Sequence, residues 1–170
     1  MPKILENARE QLLKEAKRQL MENGYGATTI RSVAQSCGMA TGTVYNYFPS
    51  KDMLIATFMM EDWNEAFSSI SDKSCSDKES YLEAIYDSIL SFAEKYGRLF
   101  SDKEAEKSFR ISFSEKHPLL IDHLSSLILP SIGEVEDRAF TAAFIAEALI
   151  VWAMKKTEFK HLYQVISKII

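Results

Sequence analysis

The sequence has two cysteines, four prolines and six glycines among 170 residues. Two thiols cannot build a disulfide scaffold, and they fit a reducing compartment. So little proline and glycine excludes collagen-like, linker-dominated and turn-dense all-β chains. Long apolar runs are also missing. Charges interrupt Met1-Pro2-Lys3-Ile4-Leu5-Glu6 before signal-peptide length is reached. The longest apolar stretch, 139–154, contains Thr141 and Glu147. It falls short of the roughly 20 clean residues that a bilayer helix needs. A cytoplasmic chain that does not enter a membrane is expected. What is abundant is apolar sequence, at 46%, enough to bury a core and to exclude global disorder. The net charge of −4 argues against nucleic acid, but only as a whole-chain sum that can hide a local patch.

Apolar spacing points to helices throughout. Leu5, Ala8, Leu12, Ala16 and Leu20 recur at three-then-four intervals, with Lys14, Glu15, Lys17 and Arg18 on the other face. Asn23-Gly24 stops this first helix. Thr28-Thr29 starts a short one, with Ile30, Val33, Ala34 and Cys37 inward and Gly38 at its end. A second short helix spans about Thr41 to Tyr47. After Pro49, Ser50 caps a long helix running to about Ile70, with Asp52 in its first turn. A polar stretch over 68–78 resembles a linker. Further helices are expected from Tyr81 to Tyr96, over 102–115, from Pro118 to Leu129, from Glu134 to Lys156 and from Phe159 to Ile170. No β-alternation and no internal repeat emerges. The fold class is all-α.

Two short helices joined at Gly38 have the form of a helix-turn-helix, whose second helix fits the DNA major groove. The segment carries Gly24-Tyr25, Thr28-Thr29-Ile30, Val33-Ala34, Cys37-Gly38-Met39, Gly42-Thr43-Val44-Tyr45, Tyr47-Phe48 and Ser50-Lys51-Asp52-Met53-Leu54. In residue type and spacing, from about Ile4 to Leu54, it resembles the DNA-binding domain of the TetR/AcrR family of bacterial transcriptional regulators. One departure is Ala40, where the family often has a capping Ser.

The candidate DNA contacts are Thr29, Arg31, Thr41, Gly42, Thr43, Tyr45, Asn46, Tyr47 and Lys51. Gly42 lets the recognition helix lie close to the backbone of DNA, and Thr43 offers a hydroxyl. Tyr45 and Tyr47 have a ring that packs and a phenol that reaches phosphate, and Asn46 carries an amide suited to a base edge or a phosphate. Lys51, with the amides at its helix start, forms an anion site, and Thr29 and Arg31 act likewise one helix earlier. Charge agrees with this reading. Residues 1–51 hold seven basic and four acidic residues, net +3, leaving −7 for the rest of a chain that sums to −4.

The division expected is a helix-turn-helix domain over 1–50 and a helical regulatory domain over 51–170. The resemblance implies that the second part binds a small effector and dimerises. Candidate effector residues are Trp63, Phe67, Tyr81, Phe92, Tyr96, Phe109, Phe113 and Phe144. Candidate dimer residues are Ala139, Ala142, Ala143, Ala146, Leu149, Ile150, Ala153 and Ile166, whose small members allow close helix approach. Phe140, Trp152, Tyr163, Ile169 and Ile170 add apolar area. A two-fold reader of a palindromic site needs two heads about 34–36 Å apart.

No cofactor is implied. His117 and His123 are six apart, off one-face spacing, and with His161 they form no metal motif. Cys75 lies in the polar stretch without a nearby thiol. No Gly-rich phosphate loop or nucleophile–base motif marks an enzyme. The expectation is a dimeric repressor of operator DNA, released by a small apolar or amphipathic effector. The alternative is a DNA-binding factor without such an effector.

Overall fold

The computed structural model describes residues 7–70 and 77–170, with the backbone alone over 109–116. Cys75 and the side chains of Phe109 and Phe113 therefore lie outside the described residues. Among those described, regular structure is helical throughout. It comprises α1 (Ala8–Ala27), α2 (Ile30–Ser36), α3 (Thr41–Tyr47), α4 (Lys51–Ser68), α5 (Lys78–Lys95), α6 (Gly97–Phe100), α7 (Lys103–Ile128), α8 (Arg138–Met154) and α9 (Phe159–Ile166). A 3-10 turn covers Leu129–Ser131. The chain forms two compact units. One takes residues up to Asp62 together with Gly97–Ser112, and the other takes Trp63–Tyr96 and Phe113–Ile170.

In the first unit, the three-then-four pattern of α1 turns Leu12, Ala16 and Leu20 inward. They share a core with Ile30, Val33 and Ala34 of α2, Val44 of α3, and Leu54, Ile55 and Phe58 of α4. Leu99 and Ala105 are buried in the same unit. Burying each large aliphatic side chain contributes about 1.5–3 kcal/mol. Two charge pairs tie α1 to α4: Lys17 Nζ to Asp62 Oδ1 at 2.5 Å, with Asp62 buried, and Arg9 to Glu61 at 2.9 Å on the surface.

Gly24 interrupts α1 with φ 80 and ψ 176, a region open almost only to glycine. A Cβ there would meet nothing within 4 Å, so the constraint is in the backbone alone. Gly24→Ala is expected to cost about 1–3 kcal/mol, read as a lower urea midpoint with an unchanged slope.

Several boundaries differ from the sequence expectation; α1, for one, continues past the expected stop at Asn23-Gly24 to Ala27. The break at Pro118 is absent, and the two helices expected around it form the single α7. Proline removes one hydrogen bond and crowds the preceding turn. Burial of Ala105 ahead of it and of Ile121, Leu124 and Ile128 behind it keeps both arms helical. Helix α8 begins at Arg138, not Glu134. There the Asp137 carboxylate accepts the Phe140 amide at 2.9 Å, and the Arg138 guanidinium donates to the carbonyls of Leu129 and Ile132. Helix α9 ends at Ile166, not Ile170. The short α6 after Tyr96 was not expected.

In the second unit α5 packs along α8 and α9. Tyr86 of α5 is fully buried; its hydroxyl donates to the Thr157 carbonyl at 2.5 Å and its ring lies 5.6 Å from that of Phe159. No helix among the described residues is long and apolar enough to cross a membrane.

Candidate nucleic-acid interface

The turn from α2 to α3 is set by Gly38, which has φ 65. Left-handed backbone there lets Gly38 N–H reach the Gln35 carbonyl and Met39 N–H reach the Ala34 carbonyl at 2.8 Å, closing α2. Helix α3 then buries Val44 alone. Gly42, Tyr45, Asn46 and Tyr47 are exposed, and Thr41 and Thr43 are half-buried. One apolar residue thus anchors a seven-residue helix whose remaining chemistry faces outward. A Cβ on Gly42 would meet nothing within 4 Å, so the chain's own packing does not demand glycine there. Ala40 precedes α3 and supplies no side-chain cap.

Thr29 caps α2 reciprocally. Its Oγ1 accepts the Ser32 amide at 3.0 Å, and the Ser32 hydroxyl accepts the Thr29 amide at 3.0 Å. Arg31 beside it is exposed. Lys51 is held differently from the expectation of an open anion site. Its Nζ donates to the Tyr25 carbonyl at 3.0 Å and lies 3.5 Å from the centre of the Tyr25 ring. Burial lowers its pKa, opposed by Asp52, Glu104 and Asp102. The Tyr25 hydroxyl in turn donates to Asp52 Oδ1 at 2.6 Å, and burial with that carboxylate raises its pKa to about 12. Tyr25 and Asp52 therefore fix Lys51 at the start of α4, a support that Gly24-Tyr25 read as motif did not reveal.

This head matches the family model described as "Bacterial regulatory proteins, tetR family" over residues 12–57. Residues 12–57 are thus a tetR-family segment. It is 37% identical over 54 residues to the HTH-type transcriptional regulator HbdR of Aromatoleum sp., covering 32% of this chain and 24% of that protein. It is 31% identical over 58 residues to the HTH-type transcriptional regulator UidR of Escherichia coli, covering 34% and 30%. It is also 33% identical over 57 residues to the HTH-type transcriptional repressor KstR2 of Mycolicibacterium smegmatis, covering 32% and 28%. The alignments thus span about a quarter to a third of these curated relatives. Over nearly the whole chain the fold is similar to two solved structures. One is a putative TetR-family regulator from Rhodococcus sp., with TM-score 0.64 and 15% identity over 95% of this chain and 97% of that one. The other is a TetR regulator from Haloarcula marismortui, with TM-score 0.61 and 20% identity over 94% of each chain. That family is described as regulatory proteins, and these three relatives are named transcriptional regulators or a repressor.

The second unit gathers some effector candidates and disperses others. Trp63 and Phe67 are buried with ring centres 4.6 Å apart. Phe92 meets Trp63 edge-on at 5.2 Å and Tyr96 at 4.8 Å. Tyr81 instead donates its hydroxyl to the Leu127 carbonyl at 2.9 Å. Phe144 is exposed and lines a separate groove.

His123 closes the aromatic cluster: Trp63 Nε1–H donates to its Nδ1 at 3.0 Å, and Phe67 meets the imidazole edge-on. The contact requires Nδ1 to be unprotonated, and burial holds the His123 pKa below its ordinary 6.5. The unfolded chain therefore binds this proton more readily than the folded one. His123 favours folding above about pH 6.5, and that contribution is lost as pH falls toward its folded pKa. His123→Asn places an amide oxygen where Nδ1 sits and does not titrate. Thermal unfolding from pH 7.5 to 5 is expected to show a shallower fall in Tm for this variant than for the parent.

The dimer candidates divide between the inside and the outside of the second unit. Ala142, Ala146, Leu149 and Ala153 of α8, and Ile166 of α9, are already buried within one chain. Small side chains let α8 approach α5 closely and are thereby removed from any partner's reach. Ala139 is exposed, and Ala143 and Ile150 are half-buried. The outward apolar face comprises Phe140, 67% exposed, with Phe144, Val151, Met154 and Val165. Between α8 and α9 lies an open groove of about 400 Å³, lined by Phe144, Trp152, Leu162, Val165 and Ile169 among others.

Proposed function

We propose that this chain is a cytoplasmic transcriptional regulator, a repressor that binds palindromic operator DNA as a homodimer and is released by a small apolar or amphipathic effector. The observation that carries the reading is α3, which buries Val44 and presents Thr41, Gly42, Thr43, Tyr45, Asn46 and Tyr47 at or near the surface of a tetR-family head. A short helix held from beneath by one residue and polar above suits insertion into a major groove. KstR2, similar in the head, is named a repressor, which supports that direction of control.

The exposed apolar side chains of α8 and α9 support the dimer. Single exposed apolar residues are ordinary, but Phe140, Phe144, Val151, Met154 and Val165 fall on two neighbouring helices. A second copy of the same face would cover them about a two-fold axis.

Fluorescence anisotropy against duplex DNA from upstream of the chain's own gene tests the reading. Tyr47→Ala is expected to weaken binding by about 5- to 100-fold through loss of a groove contact. Loss of a phosphate contact in Arg31→Ala is expected to lower the salt slope by about 1. Unchanged affinity in both variants, with circular dichroism intact, would refute the contact assignment.

The alternative, a DNA-binding factor without a small effector, draws support from one feature. Trp63, Phe67 and Tyr96 are buried against other rings, leaving little of their surface for a ligand. Raised Tm with members of an amphipathic compound panel, together with loss of DNA binding, would decide for the effector.

A further inference from the structure

We infer that Gln19, on α1 and remote in sequence from the DNA-facing residues, is a positioning residue for Thr29 and Arg31. The inference rests on the DNA-binding reading above and adds a residue to its machinery.

Gln19 is 5% exposed, an unusual burial for a primary amide. Such burial is tolerated only when the amide's polar atoms are paired. Here the pairing is directional. Gln19 Nε2 donates to Glu15 Oε1 at 2.8 Å and to Ser36 Oγ, at the end of α2, at 3.2 Å. Gln19 Oε1 accepts the Ser32 hydroxyl at 2.7 Å, in the first turn of α2. The amide therefore grips both ends of α2 from α1.

The grip continues to the surface. Ser32 is the residue whose hydroxyl accepts the Thr29 amide and whose own amide is capped by Thr29 Oγ1. The Ser32 hydroxyl has one proton and two acceptors in reach, Gln19 Oε1 at 2.7 Å and the Thr29 carbonyl at 2.9 Å; donation to the nearer Gln19 Oε1 leaves the Ser32 lone pairs for Thr29 N–H. The orientation of Thr29, and of Arg31 two residues on, is thus set from below.

Glu15 anchors the far side. Arg18 binds its carboxylate through Nε and Nη2 at 2.9 and 2.7 Å and holds its pKa down to about 2, so it remains an acceptor for Gln19. An apolar residue at position 19 would fill the space, but it would leave the setting of α2 against α1 to the packing of Ile30, Val33 and Ala34 alone.

Gln19→Met keeps the volume and removes the relay. In the variant, hydrogen exchange at the Ser32 amide is expected to accelerate by about tenfold while Tm moves little, since Ser32 and Ser36 can turn to water. Operator affinity is expected to fall about fivefold, a typical cap-sized effect. The salt slope is expected to fall by about 1, from one displaced phosphate contact. A merely destabilised fold would lower apparent affinity without changing the slope. In a Ser32→Ala background, Gln19→Met is expected to add nothing further.

Multiplicative losses in the double variant, or an unchanged slope and unchanged Ser32 exchange, would overturn the inference. If the parent protein binds no duplex from its upstream region or from a random-sequence selection, the regulator reading fails instead. The exchange measurement still reports whether Gln19 positions the cap.

Discussion

Phe144→Glu combined with Val165→Glu is expected to make the protein monomeric and to lower its apparent operator affinity at least about a hundredfold. Phe144 is 54% exposed and Val165 60%, and both line the groove between α8 and α9. Under two-fold symmetry each substitution appears twice, so four carboxylates would enter one interface. Burying unpaired carboxylates costs several kcal/mol each, more than a mid-sized apolar contact returns. A monomer then binds one half-site and loses the effective concentration that the linked second head provides, commonly worth 100- to 10,000-fold. Because both side chains face solvent within a single chain, helicity by circular dichroism is expected to be retained. Sedimentation equilibrium and anisotropy on the full operator check the two effects. A variant that remains dimeric, or a monomer that binds as tightly as the parent, would show that this face is not the interface.

The head was legible because its information is local. Spacing of Leu12, Ala16 and Leu20 gives the inward face of α1, and the polar surroundings of Val44 leave α3 only one way to lie. The body was less legible because its information is relational. A stripe of alanines says that α8 has a close neighbour, but not whether that neighbour is α5 or a second chain. Ala142 and Phe140 are two residues apart, and only the position of α5 decides which is inside. Pro118 reads as a stop by backbone chemistry alone, yet burial on both sides of it outweighs the lost bond. Inclusion of Gly97–Ser112 in the first unit joins segments far apart in sequence, which no periodicity reports. Gln19 is the clearest instance. In a helical pattern it reads as a polar residue at an apolar position, and its partners Ser32 and Ser36 become evident only when α2 is folded against α1.

Trp63→Ala is expected to be the most damaging single substitution in the body, costing about 3–5 kcal/mol in urea unfolding at pH 7. The indole is 3% exposed, tilted 4.6 Å from Phe67 and edge-on at 5.2 Å to Phe92. Its removal takes away apolar burial, two ring contacts worth about 0.5–1.5 kcal/mol each, and the donor to His123. Against a total stability of about 5–15 kcal/mol, that is a large share. Trp63→Phe separates these contributions: it retains a ring and most of the packing but leaves His123 Nδ1 without the indole N–H, for a smaller loss of about 1–3 kcal/mol. The cavity left by Trp63→Ala is lined by Phe67 and Phe92 and so remains apolar, a kind of space that accepts a small aromatic guest. Added indole is expected to raise the Tm of Trp63→Ala and not that of the parent, with about 1.4 kcal/mol recovered at ten times its Kd. A loss below about 1 kcal/mol, or rescue of the parent as well, would mean that the Trp63 side chain does not fill this core.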